Sequence, residues 1–188
     1  MVDQERIAKA VTEMLLAIGE DPRREGVRET PRRVAEMYAE LFSGMRADPR
    51  AEMSVSYEEG HEELVIVRDV PFSSICEHHF LPFFGAAHLG YVPTGRVVGI
   101  SKLARALESL SHRPQMQERL TNQIADLVHE TLEPRGVAVT LRAEHLCMTI
   151  RGVRAPGSSI VTAAYRGSFK NDAQARAEFL ALVGKGAA

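Results

Sequence analysis

The sequence has few cysteines and no long hydrophobic stretch. Only two of its 188 residues are cysteine, which is too few for a disulfide framework in a chain of this length. We therefore expect free thiols or metal ligands in a reducing compartment. The longest apolar runs, such as residues 64–67, fall far below the roughly 20 residues of a membrane span. The first ten residues, MVDQERIAKA, lack the basic and apolar regions of a signal peptide. These absences predict a cytoplasmic protein that does not bind a membrane.

Charge of one sign is also scarce. The formal net charge is −2, and apolar residues make up 45% of the chain. Such a chain lacks the basic field that duplex nucleic acid requires, and its apolar share is too high for a disordered protein. The P-loop pattern, the GxGxxG fingerprint and the serine nucleophile elbow are also absent from the sequence. A bound nucleotide would therefore not be held by a P-loop or a Rossmann turn.

Helical periodicity characterises the first third of the chain. Apolar residues recur at helical spacing over 7–18 and again over 34–41, and a glycine follows each stretch. Residues 46–60 are polar and irregular, which predicts a loop or linker. We therefore expect an N-terminal helical segment with its linker over residues 1–60 and a separate domain over residues 61–188.

Strand patterns and central helices characterise the second region. The predicted strands cover residues 63–70, 83–92, 97–100, 137–150 and 159–165. The predicted helices cover residues 101–111, a long stretch from Pro114 to just before Pro134, and residues 172–183. Neighbouring strands with paired central helices predict an α+β fold, in which an antiparallel sheet carries helices on one face.

Both cysteines lie in short clusters with histidine. Cys76 and His79 are three residues apart, a spacing at which a thiolate and an imidazole can bind one zinc ion. His145 and Cys147 are two apart and would share one face of a strand. The alternatives are a buried free cysteine beside surface histidines, and a core histidine beside an inert thiol. Because both cysteines fall in such clusters, we favour metal ligation.

The candidate ligands are Cys76, His78, His79, His145 and Cys147. A catalytic zinc site uses three protein ligands and leaves one position for water, whereas a structural site uses four. Cys76, His79 and Cys147 would make a three-ligand site, while His78 or His145 could close a structural one. In the three-ligand arrangement both of these histidines stay free to carry protons near neutral pH. That arrangement predicts metal-assisted addition of water to an electrophilic carbon.

Polar residues at helix starts form a second group of candidates. Lys102 and Arg105 share one face at the start of a helix, a position that suits a phosphate. Arg151 directly follows the strand of His145 and Cys147 and so lies near the candidate metal ligands, and Arg33 lies at the start of the second helix. At the start of the long helix, the Gln117 amide and the Glu118 carboxylate could read the edge of a polar ring such as guanine. For each of these features, a solvated polar surface is the simpler alternative.

Taken together, these segments resemble GTP cyclohydrolase I. The resemblance rests on CEHHFLPFFG (76–85), GISKLAR (99–105), RPQMQERLT (113–121) and EHLCMTIRGV (144–153), and TPRRVAEMY (30–38) and RAEFL (176–180) also fit. It implies the tunnelling fold (T-fold) for the domain at 61–188, with sheets joined into rings and two rings stacked as a homodecamer whose active sites lie at subunit interfaces. It also implies a zinc-dependent reaction in which GTP and water give 7,8-dihydroneopterin triphosphate and formate, at the entry to tetrahydrofolate or pterin synthesis.

The resemblance also implies roles for individual residues. Zinc would be bound by Cys76, His79 and Cys147. His78 would protonate a guanine ring nitrogen as the imidazole ring opens at C8, and His145 and Ser101 would carry protons in later steps. Near the ribose and the guanine lie Ser101, Gln117 and Glu118, with Glu118 reading the base. The triphosphate would be held by Lys102, Arg105, Arg151 and Arg33, with Arg33 contributed by a neighbouring subunit.

Two alternatives remain beside this interpretation. One is a relative within the fold that handles a pterin or a deazapurine with altered chemistry; the nitrile-reducing relatives lack the Cys76, His79 and Cys147 trio. The other is a non-catalytic zinc protein in which a fourth ligand closes the site. Formation of a fluorescent pterin from GTP would separate the enzyme from the structural protein.

Overall fold

The computed structural model describes residues 2–184, and its N-terminal part consists of two helices. Helix α1 (Gln4–Ala17) and helix α2 (Thr30–Leu41) pack against each other. The Asp3 carboxylate caps α1 by accepting a hydrogen bond from the Arg6 backbone N–H at 3.0 Å. Gly19 follows the helix with φ +84°, a left-handed conformation that glycine adopts without strain. The stop predicted there is confirmed.

The predicted linker contains short elements that periodicity could not reveal. A 3₁₀ turn (Ser43–Met45) precedes helix α3 (Pro49–Glu52) and strand β1 (Ser56–Glu58). Strand β1 pairs antiparallel with strand β4 (Arg96–Val98). This ladder crosses the boundary that we place at residue 60, and the boundary itself stays a prediction.

The main sheet has five strands, in the order β5-β2-β3-β6-β7. They are β2 (Val65–Cys76), β3 (Pro82–Val92), β5 (Pro114–Gln115), β6 (Gly136–His145) and β7 (Ile160–Gly167). The neighbours are antiparallel except for β5, which joins β2 in parallel. Helices α4 (Ile100–Ser111) and α5 (Gln117–Leu132) pack against the sheet. The predicted α+β class with a helix-backed sheet is confirmed.

The core lies between α4, α5 and the sheet. Along β6 the predicted apolar face is buried, because its side chains are at most 1% exposed: Val137, Val139, Leu141 and Ala143. They belong to the same cluster as Leu120 and Ile124 of α5, and each large side chain contributes roughly 1.5–3 kcal/mol by leaving water. A second cluster on α7 (Ser168–Asn171) and α8 (Ala173–Gly184) packs Phe169 and Phe179 around Ala138. In the part of the chain that is described, none of the helices combines the length and apolarity of a membrane crossing.

The three largest differences from the predicted boundaries all lie at one end of the sheet, where β2 and β6 end and β3 begins. We call this end the edge of the sheet. Strand β2 continues to Cys76, six residues beyond the predicted end. The long helix begins at Gln117, since Pro114 and Gln115 form the short strand β5. Strand β6 ends at His145, and residues Leu146–Thr149 form the helical turn α6. The strand predicted to continue to residue 150 is therefore wrong beyond His145.

Candidate metal centre and nucleotide site

Three of the five candidate metal ligands converge at this edge of the sheet. The ligand atoms of Cys76, His79 and Cys147 all lie within 4.8 Å of one another. Cys76 ends β2, and a tight turn follows in which the Phe80 N–H donates to the Cys76 carbonyl and the Cys76 N–H donates to Leu81, both at 2.9 Å. This turn brings His79 back beside Cys76, as the Cys-x-x-His spacing predicts.

The donor set of this trio fits a zinc ion. Two sulfurs and one imidazole are ligands that zinc prefers, whereas magnesium and calcium require oxygen. Burial raises the pKa of the Cys147 thiol, and the neighbouring Cys76 raises it further. A bound cation would offset both effects because it stabilises the thiolate form.

His78 lies beside the trio without completing it. Its Nδ1 is 3.8 Å from Cys76 Sγ, and His79 Nδ1 is 3.9 Å from the same sulfur. The distance to Cys76 therefore does not show which of the two histidines is the better ligand candidate. Within residues 2–184, His79 is the one whose ring nitrogen also lies within 4.8 Å of the Cys147 sulfur. The His78 side chain is 57% exposed, which leaves it accessible to a substrate.

Cys147 reaches the site by a route other than the predicted one. His145 and Cys147 do not share a strand face, because the chain leaves β6 at His145 and enters the helical turn α6. The structure still places Cys147 beside Cys76 and His79. The His145 ring stacks on its cross-strand partner Phe83, with ring centroids 4.6 Å apart and an interplanar angle of 8°. Its Nε2 lies 2.8 Å from Gln117 Oε1.

Burial lowers the pKa of His145, while the charge of Glu118 acts in the opposite direction. The lowered pKa favours the neutral ring, a state in which an imidazole can both accept and donate a proton. Glu118 itself is exposed in the first turn of α5, where the helix dipole favours a carboxylate. The carboxylate is accordingly available to accept N–H groups of a ligand.

The start of α5 is tied to the Cys-x-x-His turn by an ion pair that sequence reasoning missed. The Arg119 guanidinium donates to both carboxylate oxygens of Glu77, with one N···O distance of 2.9 Å. This contact holds the pKa of Glu77 below its usual range. The stacking partner Phe83 was missed as well. Local spacing gave no signal for either contact. The first forms only where α5 meets the turn after β2, and the second only where β3 pairs with β6.

The predicted phosphate-binding cations are spread over the surface of a single chain. Within residues 2–184 none of these side chains forms a salt bridge or a side-chain hydrogen bond: Arg33, Lys102, Arg105 and Arg151. Arg33 is nevertheless near enough to Glu29 to help lower the pKa of that carboxyl. Arg151 is near enough to Cys147 to lower the pKa of that thiol. Arg105 lines a cavity of about 620 Å³ between α4 and strands β2 and β3. Arg33 lies on α2, and Ser101 and Lys102 are in the first turn of α4.

Comparison with known proteins decides the family. Residues 7–184 match the family model described as GTP cyclohydrolase I. The chain belongs to the GTP cyclohydrolase I family. The resemblance inferred from the sequence is thereby confirmed, and the helix-backed sheet is consistent with the tunnelling fold of this family.

Curated members of the GTP cyclohydrolase I family match this chain over nearly its whole length. "GTP cyclohydrolase 1" of Halalkalibacterium halodurans is 57% identical over 97% of this chain and 97% of the relative. "GTP cyclohydrolase 1" of Dehalococcoides mccartyi strain 195 is 58% identical over 97% of this chain and 98% of its own length. "GTP cyclohydrolase 1" of Bacillus subtilis is 57% identical over 95% of each chain.

Proposed function

We propose that this chain is a GTP cyclohydrolase I, which opens the imidazole ring of guanine in GTP by hydrolysis and yields 7,8-dihydroneopterin triphosphate and formate. This reaction is the first step of tetrahydrofolate and pterin biosynthesis. Relatives that are 57–58% identical carry the name GTP cyclohydrolase 1. The observation that carries the proposal is the trio of Cys76, His79 and Cys147, whose ligand atoms lie within 4.8 Å of one another.

Zn²⁺ is the proposed metal, and Cys76, His79 and Cys147 would hold it. The donor set supports zinc over a hard, oxygen-loving cation. When bound in a three-ligand site, zinc acts as a Lewis acid and lowers the pKa of a coordinated water. The pairing of a buried thiol with a partly buried one is consistent with this role, since two adjacent thiolates require a counter-charge.

His78 and His145 are proposed as proton carriers. His78 is exposed beside the ligand trio, so it can reach a ring nitrogen of the substrate and protonate it as the ring opens. Burial favours the neutral form of His145, and the ring is fixed against Phe83, so it can accept or donate a proton without first moving. Ser101 is proposed to assist in the later steps on the ribose.

Glu118 and four cations are proposed to hold the nucleotide. The Glu118 carboxylate can accept two adjacent N–H groups of guanine in a fork, whereas adenine does not present that pair. The triphosphate would be bound by Lys102, Arg105, Arg151 and Arg33. Within residues 2–184 none of these four side chains forms a salt bridge, and Arg33, Arg105 and Arg151 are exposed, so they are available to an anionic ligand. Binding at these remote phosphates would orient guanine C8 at the metal centre.

A homo-oligomer, expected to be a decamer, is proposed to complete the site. Arg33 lies on α2 with an exposed side chain that forms no salt bridge within residues 2–184, which supports its donation to a neighbouring copy. The exposed apolar side chains of the N-terminal helices, including Met14 and Met37, support a covered surface there. The cytoplasmic location stays a prediction, and the two free thiols are consistent with it.

Incubation with GTP tests the proposal when formate and the oxidised fluorescent pterin are both measured. We expect one formate per pterin from the wild type. Cys147→Ala should lose both metal and turnover, whereas His145→Ala should keep the metal and lose turnover. His61→Ala is the matched control, because this histidine is exposed in a loop outside the site. Absence of both products from metal-loaded wild type would support a structural zinc protein instead, and loss of zinc in His145→Ala would refute the ligand assignment.

A further inference from the structure

The Gln117 side chain is buried and its polar atoms are already engaged within the protein. The residue is 1% exposed. Its Nε2 lies 3.1 Å from each of three acceptors, the carbonyl oxygens of Leu141 and Ile160 and the Thr162 hydroxyl. Its Oε1 lies 2.8 Å from His145 Nε2. A side chain held in this way has no free N–H group to offer a substrate.

The direction of every hydrogen bond around Gln117 follows from the chemistry of its partners. Two of the three acceptors are carbonyl oxygens, which cannot donate, so the amide nitrogen must face them and Oε1 must face His145. The Thr121 hydroxyl donates to the backbone carbonyl oxygen of Gln117 at 2.7 Å. The Thr162 hydroxyl, 2.6 Å from Thr121 Oγ1, therefore donates to Thr121 and accepts from Gln117.

The same logic fixes the tautomer of His145. Oε1 of Gln117 has no hydrogen, so His145 Nε2 must carry the proton that joins them. In the neutral ring Nδ1 is then the unprotonated nitrogen. In the part of the chain that the structure describes, no hydrogen bond occupies His145 Nδ1. Stacking on Phe83 fixes the plane of the ring, so the direction in which Nδ1 points is also set.

We propose that Gln117 is a positioning residue that holds His145 in its Nε2–H tautomer, so that Nδ1 is the atom through which His145 exchanges protons with the substrate. This inference rests on the proposed role of His145 in GTP hydrolysis. It differs from the role near the ribose that the resemblance implies for Gln117. Thr162 helps to orient the Gln117 amide by accepting from its Nε2, and Thr121 in turn fixes the direction of the Thr162 hydroxyl.

Steady-state kinetics and GTP binding of the zinc-loaded enzyme separate positioning from substrate contact. In Gln117→Met we expect kcat to fall at least tenfold, since loss of the orienting partner of a catalytic histidine costs up to about 10⁴-fold. The dissociation constant for GTP, measured by equilibrium dialysis, should change less than about twofold. Added to His145→Ala, Gln117→Met should lower the residual kcat no further, since it acts only through that ring. Gln123→Met is the matched control, because Gln123 lies on the same helix as Gln117 and its side chain accepts a hydrogen bond from Gln115 of β5 instead of contacting His145.

A second variant guards against simple misfolding. Gln117→Glu keeps an oxygen that accepts from His145 Nε2–H, so it should retain a higher kcat than Gln117→Met. A purely structural role predicts the opposite order, because a carboxylate would face two buried carbonyl oxygens. The proposal is overturned if Gln117→Met weakens GTP binding tenfold or more with kcat unchanged, or if its effect multiplies with that of His145→Ala. Should His145→Ala itself keep wild-type kcat, the proposed function of His145 would fail first and separately.

Discussion

Replacement of Gly85 by alanine tests how closely the strand that carries His145 must approach its neighbour. Gly85 of β3 pairs with Ala143 of β6. A Cβ added at Gly85 would lie 1.8 Å from the Arg142 carbonyl oxygen and 2.7 Å from Ala143 Cα. Both obstacles are backbone atoms, so no change of rotamer relieves the clash, and the strands must separate by more than 1 Å.

We expect Gly85→Ala to lower both the stability of the fold and kcat. Overpacking of a fitted core costs about 1–3 kcal/mol, and the upper end applies where backbone must move. For a chain of this size 3 kcal/mol lowers Tm by roughly 6–12 °C. Because His145 follows Ala143 by two residues, displacement of β6 also moves the ring. Misplacement of a catalytic group by about 1 Å can reduce kcat about 100-fold.

Thermal unfolding at fixed protein concentration and steady-state kinetics measure the two parts. Gly60→Ala is the matched control, because a Cβ at Gly60 meets nothing within 4 Å and should leave both Tm and kcat unchanged. If Gly85→Ala equals Gly60→Ala in Tm and in kcat, the close strand approach and its link to His145 are refuted.

Two further predictions concern single titratable groups. Glu118→Gln should reduce discrimination between GTP and ATP, because one acceptor of the guanine fork becomes a donor; competition binding with both nucleotides checks this, and unchanged discrimination would contradict the role. His88 has a pKa lowered mainly by burial, and its Nδ1 accepts from the Asp69 N–H at 3.1 Å. A lowered pKa stabilises the fold above the unfolded value near 6.5, and that contribution is lost as pH falls. The drop in Tm between pH 7.5 and pH 5.5 should therefore be smaller in His88→Gln than in the wild type. An equal drop in the two proteins would contradict this role of the His88 ring.

The ligand trio could be predicted from sequence because zinc ligation depends on residue type and local spacing. Cys76 and His79 form one turn, so their proximity requires no knowledge of the fold. Cys147 lies beside Cys76 and His79, although the predicted strand geometry at that position is wrong, and its role as a ligand stays a prediction. Its place depends on the turn α6, which begins immediately after β6. Four residues of a helical turn are too few to produce a periodic signal.

The partners of the site residues could not be predicted, since they come from distant parts of the chain. Gln117 and His145 are 28 positions apart, and Arg119 and Glu77 are 42 positions apart. Only the packing of α5 across the sheet brings them together. The parallel strand β5 was missed for a similar reason, because Pro114 also marks a helix start and only pairing with β2 distinguishes the two.

Metal analysis of the active enzyme tests the central claim most directly. We expect one zinc ion per chain in preparations that release formate from GTP. Removal of the metal with a chelator should abolish formate release, and addition of Zn²⁺ should restore it. Undiminished formate release from protein with no bound metal would contradict the account.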